Sequence, residues 1–346
     1  MLEKLEIKNK NSFILFNCPF KDIAKFIPGS RTFLITDENV NQLYGNSFPP
    51  VCEKIVLGSG EGAKTIKSLE FIYEKLLAGG ADRASFILAI GGGVVCDIAG
   101  FAASTYMRGI EFAFMPTTLL AQVDAAIGGK NGVNLRGYKN IVGVFRQPLF
   151  VLIDPAFLVT LTEKEISCGF AEAIKCAVIA DAELFSYLEK YSRQALGLES
   201  QVVKKIIREA VKIKISVVER DEKEKGERRK LNFGHSFAHS LEKNYGLSHG
   251  EAVSVGMVLA AELSVRKKFL DREDFERLCS LLIKYRLPVS LRFQKKAVFE
   301  SIRKDKKKKG QTIDFILLKS IGEGFIENIR FDELLEVMND LYQPGN

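Results

Sequence analysis

Histidine is scarce in this 346-residue chain, and all three histidines fall between positions 235 and 249. The six cysteines, at 18, 52, 96, 168, 176 and 279, form no Cys-x-x-Cys pair. That argues against a disulfide framework or a cysteine zinc site and fits buried thiols in a reducing cytoplasm. No uninterrupted apolar run of about 20 residues exists, so no membrane span is expected. The start, Met1-Leu-Glu-Lys-Leu-Glu, lacks the apolar core of a secretory signal. Gly-x-Gly-x-x-Gly is absent, and with it the ordinary dinucleotide fingerprint. The chain also lacks His-Glu-x-x-His, which argues against a zinc protease. The net charge of +7 is modest, and the basic run Arg303–Lys309 is short and broken by Asp305. No nucleic-acid motif surrounds that run, so the charge suits a small anionic ligand better than a nucleic acid.

With 47% hydrophobic and 27% charged residues, the chain reads as soluble and globular, long enough for two domains. The first half alternates strand and helix. Arg31–Thr36, Lys54–Leu57, Ser85–Ile90, Glu111–Met115 and Leu149–Ile153 read as strands, and Thr65–Leu77 reads as a helix stopped by Gly79-Gly80. This alternation predicts a mostly parallel sheet covered by helices on both faces. After about Pro155 long amphipathic stretches follow, near 163–190, 197–221, 249–268 and 271–285, with one late strand at Thr312–Leu318. Asp221–Lys230 and Arg303–Lys309 read as exposed loops interrupting a helical second half.

Two features carry chemistry. Gly91-Gly92-Gly93 lies between an apolar strand and an apolar helix, where backbone can approach a pyrophosphate and helix N–H groups can bind it. The alternative is a plain tight turn. His235 and His239 are four apart, so a helix puts both on one face. Imidazoles so placed suit a metal or proton transfer, or are merely two surface histidines.

The blocks GGGVVCDIAGFAASTYMRGIEFAFMPTTLLAQVDAAIGGKNGVNLRGYKNIVGVFRQP (91–148), GFAEAIK (169–175), LNFGHSFAHSLE (231–242) and HGEAVSVGM (249–257) together resemble the 3-dehydroquinate synthase family, within the sugar-phosphate cyclases. The resemblance implies an α/β Rossmann-like NAD-binding domain over 1–158 and a mainly α-helical metal- and substrate-binding domain over 159–346. It implies Asp37, Asn39, Glu61 and Lys64 on the adenosine side of NAD, and Gly91, Gly92 and Gly93 against the pyrophosphate. Asp97, Thr117 and Thr118 would lie nearer the ribose and nicotinamide. Asp124, Lys130, Lys139 and Asn140 would lie where cofactor meets substrate.

The same resemblance implies a Zn2+ or Co2+ ion held by Glu172, His235 and His249. His239 becomes a substrate-side residue that hydrogen bonds and moves protons, not a ligand. Lys175, Lys214, Arg228, Asn232, His239 and, within Lys304–Lys309, Lys306 match substrate contacts. Lys130, Asn140, Asp124 and Lys175 join His239 as catalytic candidates. Arg108 matches an arginine reaching the phosphate in a neighbouring subunit's site, which implies a homodimer. The implied reaction takes 3-deoxy-D-arabino-heptulosonate 7-phosphate through oxidation, phosphate elimination, reduction, ring opening and aldol closure. Sister cyclases acting on sugar phosphates without a carboxylate, and metal-dependent polyol dehydrogenases, are the competing readings. Cys96, the pair Ala125-Ala126 and Ala238 depart from the family's usual glycine, serines and glycine.

Overall fold

The computed structural model describes residues 3–8, 11–29, 31–49, 52–305 and 311–340, and the chain divides into two units, Met1–Thr162 and Glu163–Asn346. In the first, runs of β-branched and aromatic residues form a 7-stranded sheet of order β1-β2-β9-β6-β5-β3-β4. Its strands are β1 (Glu3–Ile7), β2 (Ser12–Phe16), β3 (Thr32–Asp37), β4 (Cys52–Leu57), β5 (Phe86–Gly91), β6 (Glu111–Pro116) and β9 (Phe150–Ile153). Pairing is parallel except between β1 and β2. Every residue of β5 is buried, as expected of a central strand covered on both faces. Leu34, Leu88, Ile90, Met115 and Leu152 meet in one apolar cluster.

Helices α1 (Glu38–Tyr44), α2 (Ile66–Ala78) and α3 (Gly93–Thr105) follow β3, β4 and β5. Asp37 caps α1 by accepting from the Val40 N–H at 2.9 Å, and Thr65 caps α2, each satisfying an orphan donor. From β3 the chain passes to β4 on one side and then to β5 on the other. The carboxyl ends of β3 and β5 therefore flank a topological switch point, where open α/β sheets bind ligands. A separate hairpin, β7 (Lys130–Leu135) with β8 (Tyr138–Phe145), was not anticipated from the sequence. Gly132 faces Gly143 across it, and a Cβ on Gly143 would lie 2.3 Å from the Asn131 carbonyl oxygen.

The second unit contains α4 (Glu163–Ala180), α5 (Ala182–Lys190), α6 (Ser192–Leu196), α7 (Ser200–Arg220), α8 (His235–Tyr245), α9 (His249–Arg266), α10 (Arg272–Lys284), α11 (Lys295–Asp305) and α12 (Phe331–Asp340), with a hairpin of β10 (Thr312–Ser320) and β11 (Glu323–Arg330). α4 is buried continuously from Ile166 to Ile179, which marks it as the core helix of the unit. Two sequence expectations need correction. Arg303–Asp305 ends α11 instead of lying in a loop, because Val298, Phe299 and Ile302 give that stretch a buried apolar face. Asp221–Lys230 is not wholly exposed: Glu227–Asn232 forms a 3-10 turn in which Arg228 is buried.

Glycine sets how closely the helices approach. A Cβ at Gly250 of α9 would lie 2.3 Å from the Cys168 Cα of α4, and one at Gly256 would lie 2.2 Å from the Gly234 carbonyl oxygen just before α8. Overpacking of this kind typically costs about 1–3 kcal/mol. Gly256→Ala is therefore expected to lower the urea midpoint by a corresponding amount. A midpoint equal to wild type would show that the α8–α9 contact has slack.

Candidate active site

The three histidines come together through two helix starts. His235 opens α8 just after Gly234, whose φ is 77°. His249 opens α9 behind a capping box: the Ser248 side chain accepts from the backbone three residues on, and the Ser248 N–H donates to Glu251 Oε2 at 2.9 Å. Between them stands Glu172 of the core helix, with no exposed surface. Its Oε1 lies 2.9 Å from His249 Nε2 and 3.8 Å from His235 Nε2. Lys175, one turn along α4, forms an ion pair with its other oxygen.

One ligand atom from each of Glu172, His235 and His249 lies within 4.8 Å of the others. Glu172 Oε2 is taken up by its ion pair with Lys175, so Oε1 is the oxygen turned to the imidazoles. A buried carboxylate whose Oε1 faces two imidazole nitrogens is a donor set that suits zinc or cobalt. Burial works against ionisation of Glu172. The Lys175 ammonium and the neighbouring histidines outweigh it and hold the carboxyl well below its usual range. Burial, helped by Lys175, lowers His235 to about 3, so this imidazole is neutral and free to coordinate. Burial also disfavours a charged His249, but its bonds to Glu172 and Glu242 prevail and raise it to about 10. A cation is thus favoured at the His249 position, as a proton or, with that proton displaced, as a metal.

Positive side chains gather on neighbouring elements of this unit. Lys175, Lys214 of α7 and Arg228 of the 3-10 turn are all buried, and that turn packs on both α4 and α7. Asp221 shapes the approach to the turn by accepting the N–H groups of Lys225, Gly226 and Arg228 at 2.9, 2.7 and 3.1 Å. Arg228 Nη1 donates to the Glu222 carbonyl. Asn232 donates to Glu224, whose φ of 55° is left-handed. Glu224 escaped the sequence reading because it sits in a charged stretch that looks like an ordinary exposed loop. His239 is exposed on α8, its ring centroid 5.7 Å from that of His235. Lys306 lies outside the described residues.

In the first unit, Asp37 and Gly91 stand at the ends of β3 and β5. Gly92 precedes α3 and Gly93 begins it. A Cβ on Gly92 would lie 3.1 Å from Thr118 and one on Gly93 would lie 2.9 Å from Ala125, so the turn is tightly backed. Thr117 follows β6, and its N–H donates to the Gly91 carbonyl at 2.9 Å. Thr118 Oγ1 accepts the Ala121 N–H at 3.2 Å, starting the π-helical turn Ala121–Ala125 that carries Asp124. The Asn39 N–H donates to Ser59 at 3.3 Å, and Glu61 accepts from Asn134 at 2.7 Å. Lys64 is buried, paired with Asp97, and donates to Asn140 Oδ1 at 2.6 Å. Lys130 and Lys139 are exposed on the β7–β8 hairpin. Arg108 is exposed too, in a turn where Met107 and Arg108 both have positive φ, 49° and 69°.

This architecture, a parallel sheet joined in one chain to a helical unit, is shared with solved sugar-phosphate cyclases. The 2-epi-5-epi-valiolone synthase of Streptomyces hygroscopicus subsp. jinggangensis, solved with NAD+ and Zn2+ bound, superposes with a TM-score of 0.89 at 28% identity, covering 97% of this chain and 98% of that one. A 2-deoxy-scyllo-inosose synthase shares the fold, with a TM-score of 0.86 at 24% identity over 98% of this chain. The family models for the 3-dehydroquinate synthase N-terminal and C-terminal domains match residues 54–168 and 169–308. The chain is 42% identical over 327 residues to the 3-dehydroquinate synthase of Thermoanaerobacter pseudethanolicus, covering 91% of this chain and 92% of the relative. Identity to that of Ruminiclostridium cellulolyticum is 40%, covering 97% and 98%. The chain belongs to the 3-dehydroquinate synthase family.

The ligand set is directly testable. His235→Ala and Glu172→Ala are each expected to lose bound zinc, measured by elemental analysis after gel filtration. Full metal content in both variants would overturn the ligand set.

Proposed function

We propose that the chain is a lyase converting 3-deoxy-D-arabino-heptulosonate 7-phosphate to 3-dehydroquinate and inorganic phosphate. The observation that carries this reading is the Glu172–His235–His249 cluster, its carboxylate buried and its histidines half-buried, together with the buried cations Lys175, Lys214 and Arg228, in a chain of this family. The substrate carries a carboxylate and a phosphate. Buried cations on the core helix, on α7 and on the 3-10 turn supply the countercharges, and burial strengthens each attraction.

When bound, a divalent ion supplies a Lewis acid and NAD supplies a reversible hydride acceptor. The protein's own residues hold these groups and the substrate. Glu172, His235 and His249 offer the ion three ligands, which leaves coordination positions for substrate oxygens. Gly91, Gly92 and Gly93 offer backbone to a pyrophosphate at the start of α3. Asp37, Asn39, Glu61 and Lys64 fit the adenosine side, and Asp97, Thr117, Thr118, Asp124, Lys130 and Lys139 fit the rest of the cofactor. Lys175 is fixed by its pair with Glu172 and presents an ammonium to an anionic oxygen. Lys214, Arg228 and Asn232, with Lys130, Asn140 and Lys306, complete the substrate's polar contacts. His239, exposed and one turn from His235, moves a proton near the departing phosphate. The assembled groups act mainly by positioning and charge stabilisation.

We further propose a cytoplasmic homodimer in which Arg108 reaches the phosphate bound by the other subunit. Met107, Leu135, Tyr138, Ile141 and Phe145 are exposed apolar side chains on the Arg108 turn and the β7–β8 hairpin, which suits an interface in a soluble protein.

Incubation with the heptulosonate phosphate, NAD and zinc is expected to release phosphate and dehydroquinate in equal amounts, with no net NADH. Net NADH would indicate a dehydrogenase, and equal turnover of sedoheptulose 7-phosphate would indicate a sister cyclase. Arg108→Ala is expected to be nearly inactive alone. Refolded together with inactive His235→Ala, it should recover roughly a quarter of wild-type activity, from hybrid dimers that hold one intact site. Absence of rescue would refute the shared site.

A further inference from the structure

His249 is held at both ring nitrogens. Nε2 lies 2.9 Å from Glu172 Oε1, and Nδ1 lies 2.8 Å from Glu242 Oε1. Glu242 is not one of the three clustered ligand residues. It stands in the last turns of α8, seven residues after His235, so both side chains project from one helical face. Its side chain is 4% exposed, whereas that of His249 is 35% exposed. The capping box fixes where the His249 backbone begins α9, but a cap does not set the rotation of the imidazole.

The two nitrogens of an imidazole point away from each other. A metal at Nε2 therefore leaves Nδ1 to an outer partner. A carboxylate only accepts hydrogen bonds, so Glu242 keeps a proton on Nδ1, and once a metal displaces the proton that Nε2 shares with Glu172, the Nε2 lone pair is left to the ion. We propose that Glu242 is a positioning residue of the metal centre, holding His249 in the tautomer and orientation that bind the ion. α8 then serves the site twice, with a ligand at its first turn and the support for the ligand of α9 near its last. This inference rests on the metal reading above. Outer hydrogen bonds of this kind typically contribute 10–100-fold to metal affinity.

The test compares wild type, Glu242→Gln, Glu242→Leu and Glu172→Ala in the full chain. Zn2+ affinity is measured by competition with a chromophoric chelator, and the metal-free melting temperature is followed alongside. The expected result is a zinc Kd about 10–100-fold weaker for Glu242→Leu. Glu242→Gln, whose amide oxygen still accepts from Nδ1–H, should recover most of that loss. In 15N-histidine NMR spectra of the zinc-loaded wild type, the His249 proton should sit on Nδ1. Affinity in Glu242→Leu equal to wild type, equal losses in the Gln and Leu variants, or a proton absent from Nδ1 would each overturn the role of Glu242. If Glu242→Leu does not fold, the Gln variant and the wild-type spectrum decide. A wild type that binds no zinc, or a Glu172→Ala variant that binds it as tightly, would instead overturn the underlying metal site.

Discussion

The second unit depends on one ionised carboxylate placed where water cannot reach it. Glu172 has no exposed surface, and an isolated buried charge costs several kcal/mol even after relaxation. It is tolerated because Lys175 and two imidazoles converge on it from one turn along α4 and from the starts of α8 and α9. The same convergence leaves an electron-rich pocket with one neutral imidazole and one imidazole that holds a cation. A helix buried all round ordinarily carries only apolar side chains. That α4 carries a Glu–Lys pair at its centre is where the packing rules give way to the chemistry.

The fold was legible where hydrophobic period and glycine punctuation agree. The expected strands at Arg31–Thr36, Ser85–Ile90 and Glu111–Met115 match β3, β5 and β6 within a residue at most ends, because continuous β-branched and aromatic runs are hard to place elsewhere. The β7–β8 hairpin was not legible. Its strands carry glycines at facing positions and mostly exposed residues on β8, so neither alternation nor an apolar run announces them. The α11 segment was hidden because its lysines and arginine dominate the local composition, while three well-spaced apolar residues anchor it.

The site shows a different limit. Histidine scarcity located it, and helical spacing correctly put His235 and His239 on one side of α8. Spacing within one helix cannot say which neighbouring helix supplies the remaining ligands. That comes from long-range packing, with Gly234 against Gly256 and Cys168 against Gly250 drawing α4, α8 and α9 together. Family resemblance named Glu172 and His249 but not the support around them. Glu242 shares a face with His235 at a spacing that could have been read, yet a glutamate late in an amphipathic helix is ordinarily a solvated charge.

Cys96, Ala125 and Ala238 each sit in close-packed surroundings next to the elements that build the sites. Ala125 lies under Gly93, where even a methyl on the glycine would come within 2.9 Å, so there is little spare volume at the turn. Cys96 is fully buried in α3 with Sγ 3.8 Å from the Gly91 carbonyl oxygen. Burial and the nearby Asp97 push its thiol far up, so it remains neutral and serves as a small apolar filler behind the glycine turn. Ala238 is buried on α8, and its backbone N–H still donates to the Gly234 carbonyl at 3.0 Å. Cys96 and Ala125 thus pack beside the glycine turn at the start of α3, and Ala238 packs beside the helix start that presents His235.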